Sequence, residues 1–348
     1  MTPSTPSATA VQTGSTTLGI LPGLILSLLV AVAAAMAGPS LPYAVPIPII
    51  ALLIGIALQP IARRPWFGAG IAFCLKKILP VAVALLGLRI AFADIAALGL
   101  GTAALVVLSM AATILAGFVF AGLFRLAPAY GALCGVGTAV CGASATLATS
   151  IVLPDYKGKD ADIAFVVMAV NILSTAAMVL YPILSVWLSI DQQQTGIMLG
   201  ATIHDVAQVV GAGFAVSEPT GNTAVIVKLF RVFLLLPVVC LVGWWFARAS
   251  VAHAVTRIPV PVFALGFLAL CTLNSVAPAV PEIAPIYAAI KPPLVEVSTW
   301  GLLVAISALG LGTSIADISE RGWRHIATVT GTTIVILGTV TAGLMLLA

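Results

Sequence analysis

Three polar side chains stand close together in an apolar stretch of the sequence, GATIHDVAQVVGAG at 200–213. His204 and Gln208 are four residues apart and share one face of a helix, whereas Asp205 lies about 100° around it. Histidine and aspartate take up and release protons, so the stretch predicts a substrate or proton site at a helix break between Gly200 and Gly211. A polar clamp between packed helices is the alternative. A catalytic dyad is a third reading, without a nucleophile at a recognisable spacing.

Basic residues occur inside two further apolar segments. In VIVKLFRVFLLLP, at 225–237, Lys228 and Arg231 are three residues apart and share a helix face. They either snorkel to a membrane interface or face the helix bundle, where they attract an anion or pair with Asp205. Arg89 presents the same choice: it either snorkels or lines a pathway.

A second stretch, GALCGVGTAVCGASATLATS at 131–150, is rich in small residues. It offers hydroxyl groups and free backbone N–H groups but no acid or base with a visible activating neighbour. The N-terminus of a half-helix in such a stretch carries about half a positive charge and binds anions without a basic side chain. Close helix packing through small residues is the alternative. The candidate ligands in this stretch are Thr138, Cys141, Gly142 and Ser144.

Composition defines the environment of these residues. The chain has 348 residues, of which 61% are hydrophobic and 7% charged, and its mean hydropathy is +1.20. A soluble domain carries about 25% charged residues, so a soluble, disordered or disulfide-stapled protein is excluded. Since one helical span needs about 20 apolar residues, the apolar content suffices for roughly ten spans. The basic residues form no run that would bind nucleic acid, and the five cysteines have no metal-ligand spacing. We therefore expect no cofactor or metal and no nucleic-acid partner.

Apolar segments follow one another with short loops, which predicts an all-α polytopic membrane protein. Residues 1–16 are a polar tail that we expect to be disordered, and 17–348 form a single transmembrane domain. Each glycine-rich segment is either a broken helix that crosses or a re-entrant hairpin, so between nine and eleven helices span the membrane. The segments are 17–37, 43–62, 70–93, 98–124, 129–153, 162–190, 194–217, 223–247, 258–278, 295–317 and 323–347.

The positive-inside rule places the N-terminus in the cytoplasm and the C-terminus outside in both versions. Lys76 and Lys77 are assigned to the cytoplasmic side in either case. The hairpin version also brings Lys157 and Lys159 to the cytoplasmic side, which gives it the better charge distribution, but two lysines leave the choice open.

The sequence contains an internal repeat. LGLRIAFADIAALG at 86–99 and LGLGTSIADISERG at 309–322 align with seven identities in fourteen positions, Asp94 and Asp317 among them. A weaker similarity joins YAVPIPIIALL, 43–53, to IPVPVFALG, 258–266. An odd number of crossings separates the related spans, so they run in opposite directions, as in the inverted-topology repeats of many secondary transporters. The glycine-rich segments lie between the copies, so the sequence does not divide into two consecutive halves.

The sequence resembles the YeiH-type family of proposed sulfate exporters from about residue 21 to its end. The segments that carry the resemblance are GVGTAVCGASATLATS, GATIHDVAQVVGAGFAVS, VIVKLFRVFLLLPVV and ALGLGTSIADISERGW. The resemblance implies a bacterial inner-membrane carrier of about ten or eleven spans. It also implies a distant relation to cation/proton antiporters and bile-acid/sodium symporters, which have inverted repeats and broken helices.

The function expected from these features is export of a small anion by alternating access, with sulfate or a related sulfur oxyanion favoured through the resemblance. Thr138, Cys141, Gly142 and Ser144 would bind substrate together with Gln208 and Arg89. Lys228 and Arg231 would neutralise the anion, and His204 and Asp205 would handle a coupling proton. A cation/proton antiporter with Asp205 as ion ligand and an integral-membrane enzyme using a His–Asp pair are the alternatives. The expected partners are the anion, a coupling proton or sodium ion, and the lipid bilayer; the sequence does not indicate an oligomeric state.

Overall fold

A computed structural model describes residues 17–38, 46–249, 262–313 and 322–347, and every regular element in these ranges is a helix. A π-helical turn, Cys74–Ile78, joins α3 to α4, and a 3₁₀ turn, Leu86–Arg89, follows α4. The helices are α1 Thr17–Ala37, α2 Ile47–Ala62, α3 Pro65–Phe73, α4 Leu79–Leu85, α5 Phe92–Ala97, α6 Gly99–Leu123, α7 Pro128–Ala139, α8 Ala143–Val152, α9 Lys159–Trp187, α10 Gln192–Thr202, α11 Val206–Val216, α12 Glu218–Phe233, α13 Leu235–Ala249, α14 Val262–Val276, α15 Ala284–Gly312 and α16 Trp323–Leu347.

The long helices have the length and composition of membrane spans. Seven stretches qualify in the described ranges, and the shorter apolar helices α2 and α14 lie beside them. Large apolar side chains cover the outside of the bundle, with Leu100, Trp187 and Leu346 each more than 80% exposed. Such a surface is stable against lipid and not against water. The prediction of an all-α polytopic membrane protein is confirmed.

The first glycine-rich segment is a re-entrant hairpin, hairpin 1, formed by α7 and α8. Tyr130, at the start of α7, donates its hydroxyl to the carbonyl oxygen of His325 at 3.0 Å. His325 Nε2 lies 3.6 Å from Oδ1 of Asp162, in the first turn of α9. Lys159 of the same turn donates to the carbonyl oxygen of Leu153, just after α8, at 2.9 Å. The start of α7 and the end of α8 therefore lie at the same face of the bundle.

The second glycine-rich segment is a hairpin that enters from the opposite face, hairpin 2, formed by α10 and α11. The Thr220 hydroxyl, just after α11, donates to the carbonyl oxygen of Gln192 at the start of α10, at 3.1 Å. Gly200 in α10 and Gly213 in α11 both pack against Ala224 of α12. The two arms thus run side by side along α12 in opposite directions. The structure selects the hairpin reading for both segments.

Nine helical paths cross the bundle in the described part of the chain, and the two hairpins enter from opposite faces. The crossing paths are α1, α2, α3–α4, α6, α9, α12–α13, α14, α15 and α16. Charges separate between the two ends. We call one end the basic face, because its basic residues, Arg63, Arg64, Arg125, Lys157, Lys159, Arg248 and Arg324, outnumber its aspartates, Asp155, Asp160 and Asp162. We call the other end the acidic face; it carries Asp94, Asp191, Glu218 and Glu282 beside the two basic residues Arg89 and Lys291.

The repeated spans run in opposite directions, as the repeat predicts. Ser298 of α15 donates to the carbonyl oxygen of Ala82 in α4 at 2.7 Å, and Gly301 packs against Ala82 and Ile78. Residue 317, the aspartate of the second copy, lies outside the described residues, as does the predicted tail at 1–16.

The helix directions explain why the repeat is not divided into consecutive halves. The set α2, α3–α4, α6, hairpin 1 and α9 has an oppositely directed counterpart in α14, α15, α16, hairpin 2 and α12–α13. In the chain, the second set begins with its hairpin instead of with α14. The packing agrees with this pairing of the two sets, because α2 of the first set packs against α15 of the second, and α14 of the second set packs against α4 of the first.

Candidate functional site

The tips of the two hairpins meet beside the middle of α9. Gly142 at the tip of hairpin 1 lies against His204 at the tip of hairpin 2 and against Val170 of α9. Ser174, one turn further along α9, accepts hydrogen bonds from the backbone N–H groups of His204 and Asp205 at 3.2 and 3.0 Å. Because α12 begins ten residues before it reaches the tips, they lie about 15 Å from the acidic face, near the middle of a bilayer core of about 30 Å.

Both breaks have local causes in the sequence. Gly142 has φ +68° and ψ −123°, a conformation that a side chain disfavours, and it turns the chain between α7 and α8. In hairpin 2, Ile203 and Asp205 are extended, and Asp205 caps α11 by accepting the Ala207 N–H at 2.9 Å. Each hairpin therefore ends one half-helix and starts another at the same depth.

Lys228 joins the two tips through backbone carbonyl groups. It is fully buried, and its ammonium donates to the carbonyl oxygens of Val140 at 2.6 Å, Ile203 at 3.1 Å and His204. These carbonyl groups follow the last turns of α7 and α10, where intrahelical donors are absent and the helix dipole is negative. The lysine compensates both half-helix C-termini at once.

Arg231, one turn further along α12, completes the same contact. Its Nε and Nη2 donate to the carbonyl oxygens of Ala139 and Thr138, both at 2.9 Å. Its Nη1 donates to Gly200 at 2.9 Å and to Ile203 at 3.1 Å. Neither basic residue snorkels, and no ion pair between either of them and Asp205 occurs among the described residues. Their donors are used inside the protein, so their direct role is to hold the hairpins together.

His204, Gln208 and Thr138 make helix-to-helix contacts at the tips. His204 Nε2 lies 3.0 Å from the Thr333 hydroxyl of α16, and Gln208 donates to Asn171 Oδ1 at 3.1 Å and to Thr175 at 3.0 Å. The Thr138 hydroxyl lies 3.0 Å from that of Thr332. All three predicted residues are fully buried. The contacts of His204 and Gln208 are those of a polar clamp between helices, the alternative interpretation of 200–213, and Thr138 adds a hydroxyl contact between α7 and α16.

A cavity of about 530 Å³ extends from the tips toward the basic face. The starts of both returning half-helices reach it, α8 through Ala143 and Ser144, and α11 through Asp205 and Val206. The first-turn N–H groups of a helix have no intrahelical acceptor and mark its positive end. The remaining polar lining comes from Lys76, Cys141 and Asn171, whereas the other walls are apolar. The structure thus places three predicted site residues, Cys141, Ser144 and Asp205, on one cavity.

Arg89 does not reach this cavity. It lines a second, mostly apolar cavity of about 330 Å³ toward the acidic face, together with Phe214 of α11 and Thr299 of α15. Arg89 Nη2 donates to the Thr299 hydroxyl at 2.7 Å, and Nη1 lies 3.5 Å from Oε1 of Glu218. Arg89 therefore does not join the predicted site at the tips.

One site residue was missed from the sequence. Lys76 was assigned, with Lys77, to the cytoplasmic side, but both lie within the span Pro65–Arg89, on the π-helical turn. The apolar segment 70–93 already contained them, and two lysines inside a span were the available signal, because charged residues at membrane depth are costly.

Comparisons with known proteins agree with this architecture. UPF0324 membrane protein TauZ of Paracoccus pantotrophus is 41% identical over 330 residues, which cover 94% of this chain and 95% of the relative. A UPF0324 membrane protein of Rhizobium meliloti strain 1021 is 40% identical, covering 93% and 92%. A UPF0324 membrane protein of Chlorobaculum tepidum is 38% identical, covering 88% and 84%. No solved structure matches the chain.

The family model described as conserved hypothetical protein 698 matches residues 22–329. The match confirms the family recognised from the glycine-rich and HDVAQVV segments, and the relatives share the multi-pass membrane character of this chain. The chain belongs to the family of conserved hypothetical protein 698, the UPF0324 membrane proteins.

Proposed function

We propose that this protein is a secondary transporter that exports a small anion across the bacterial inner membrane, with sulfate or a related sulfur oxyanion as the favoured substrate. One observation carries the proposal: two half-helix N-termini, those of α8 and α11, open onto a single cavity at the middle of the bundle. Two such ends together carry about one positive charge, and their first-turn N–H groups, apart from that of Ala207, which donates to Asp205, lack an intrahelical acceptor. Both properties suit an oxyanion. Ser144 and Asn171 add polar side chains on the same walls.

The distribution of half-helix C-termini favours an anion over a metal cation. Carbonyl groups at the ends of α7 and α10 would otherwise form a cation site. Here Lys228 and Arg231 already occupy the carbonyl oxygens of 138–140, 200, 203 and 204. Of the two positive ends at the tips, that of α11 is capped by the Asp205 carboxyl group, whereas that of α8 has no side-chain cap and stays uncompensated.

Asp205 is the group that we assign to a coupling proton. It is the carboxylate that lines the central cavity in the described part of the chain, whereas His204 faces α16. A second candidate function, a cation/proton antiporter, is also consistent with Asp205, because its carboxylate could bind a cation in the central cavity. An enzyme is disfavoured by the same geometry, because His204 and Asp205 point to different partners, Thr333 and Ala207.

Alternating access fits the arrangement of the two cavities. They lie on opposite sides of the hairpin tips and share walls from α11 and α15, and α4 lines the central cavity while the 3₁₀ turn that follows it lines the second one. By the positive-inside rule the basic face is cytoplasmic, so the cavity with Ser144 faces the cytoplasm, as an exporter loading substrate requires.

The test is transport by the purified protein in proteoliposomes. We expect saturable counterflow of labelled sulfate or sulfite, with a rate that responds to an imposed pH gradient. Proton flux that follows a sodium gradient and ignores the anions would support the antiporter instead. Absence of both fluxes would refute the transporter proposal for these substrates.

The position of the site has its own test. In a variant without native cysteines, Ser144→Cys should react with a membrane-impermeant thiol reagent from the basic face, and sulfate should slow the reaction. Lys157→Cys, in the exposed loop at the same basic face, is the control that should react equally fast with and without sulfate.

A further inference from the structure

Lys76 is carried into the central cavity by the π-helical turn between α3 and α4. The turn covers Cys74–Ile78, within a span whose other turns are mostly α-helical. A π turn inserts an extra residue per hydrogen-bonded ring and commonly occurs at functional sites because it redirects side chains. Here it gives two adjacent lysines different surroundings.

The two lysines face different spaces. Lys76 lines the cavity that also contains Ser144, Asn171 and Asp205. Lys77 lines a shallow apolar groove between α4 and α15, with Val81 and Val297. Neither lysine has a hydrogen bond or an ion pair among the described residues.

Lys76 differs from the other basic residues of the tips. Lys228 and Arg231 are fully buried and donate to backbone carbonyl groups, whereas the Lys76 side chain is exposed to the cavity. A charged side chain at membrane depth is costly unless it has a partner or a function. An ammonium group offers three donors and a full charge to any anion that enters.

We propose that Lys76 is the substrate-binding residue that selects anions in this cavity, in concert with the N-termini of α8 and α11. The inference rests on the proposed transport function and names the charged contact within it. The ligand class is a small oxyanion, for which the lysine is a point charge on the same cavity as the first turns of α8 and α11.

The experiment compares Lys76→Gln with Lys77→Gln, which removes the same charge one residue away. In sulfate counterflow we expect Lys76→Gln to raise KM about tenfold or more, the loss of a charge-assisted hydrogen bond. Lys77→Gln should match the wild type, and Lys76→Arg should restore most of the affinity because it restores the charge. Sulfate-induced thermal stabilisation in detergent gives a second readout, which Lys76→Gln should lose and Lys77→Gln should keep.

The outcomes separate the two proposals. If the wild type transports sulfate and Lys76→Gln has an unchanged KM, the role of Lys76 is wrong and the transport function stands. If the wild type neither binds nor transports sulfate or sulfite, the proposed function fails for these anions, and the assigned role of Lys76 falls with it. Equal losses in Lys76→Gln and Lys77→Gln would show a general charge effect and also overturn the role of Lys76.

Discussion

Lys228 and Arg231 share one acceptor, the carbonyl oxygen of Ile203, which lies 3.1 Å from Nζ of the lysine and 3.1 Å from Nη1 of the arginine. Their remaining donors go to carbonyl groups of both hairpins. Two cations without a paired carboxylate are thus held by the negative ends of α7 and α10. Removing either one exposes carbonyl groups that have no water to replace the donor.

The first prediction concerns this shared contact. Arg231→Lys should lower the thermal unfolding midpoint in detergent, because an ammonium group at position 231 cannot reach the four carbonyl groups that the guanidinium fork spans. We expect the free energy of unfolding to fall by on the order of 2–4 kcal/mol, which is the cost of leaving about two buried carbonyl acceptors without a donor. Fluorescence-detected gel filtration after heating measures the change, with Lys77→Met as the control. Wild-type melting of Arg231→Lys would contradict the structural role.

Gly142 carries the second prediction. At φ +68° and ψ −123°, its backbone lies in a region that residues with a side chain avoid. Gly142→Ala should cost roughly 1–3 kcal/mol of stability and displace the tip from His204. Gly122→Ala is the control, because that glycine has ordinary helical geometry and no neighbour within 4 Å of an added Cβ. Equal unfolding midpoints for the two variants would be evidence against a strained tip.

The helical membrane architecture and the polar tips were readable from the sequence. Local composition is enough to recognise these features. Long apolar runs indicate helices in lipid, and glycine-rich stretches with polar residues such as those at 204–208 stand out against them. The sequence does not distinguish a re-entrant hairpin from a crossing helix for the two glycine-rich segments, because both arrangements place the same residues at the same depth in the membrane. Only contacts between distant segments, such as Thr220 with Gln192, distinguish the two.

The roles of individual basic residues were not readable. The spacing of Lys228 and Arg231 suggests an anion site, but their partners are backbone carbonyl groups. Every residue has such a group, so the sequence gives no sign of these contacts. Lys76 was assigned to the cytoplasmic side although it lies inside the apolar segment 70–93, and its place on a cavity wall depends on contacts between distant segments that the sequence does not show. Arg89 was expected near the substrate but faces the second cavity, since the end of its span lies beyond the tips.

Asp205 and His204 provide a paired prediction on coupling. Asp205→Asn keeps a side-chain oxygen that can cap α11 but removes the titrating carboxylate. We expect it to preserve sulfate counterflow while abolishing the response of net efflux to a pH gradient. His204→Gln should lower thermal stability through the lost Thr333 contact and retain the pH response. A reversed result, with coupling lost only in His204→Gln, would assign the proton to the histidine.

The barrier between the two cavities is one helical turn thick along each of three paths. The central cavity is lined by Val83 of α4, Val206 of α11 and Leu309 of α15. The second cavity is lined, one turn nearer the acidic face, by Leu86 of the 3₁₀ turn after α4, Val210 of α11 and Ile306 of α15. All six side chains are buried. A carrier needs this layer to be closed whenever the central cavity faces the cytoplasm.

Thinning this layer should therefore convert coupled transport into a leak. Leu86→Ala combined with Ile306→Ala removes two large side chains of the layer, one from the 3₁₀ turn after α4 and one from α15, and the space left would connect the cavities. We expect proteoliposomes with this variant to lose a trapped anion at a rate that rises linearly with concentration and ignores the pH gradient. Val297→Ala, a lipid-exposed change on α15, should keep saturable transport. Saturable, coupled flux in the double variant, with its fold intact by thermal melting, would place the barrier elsewhere.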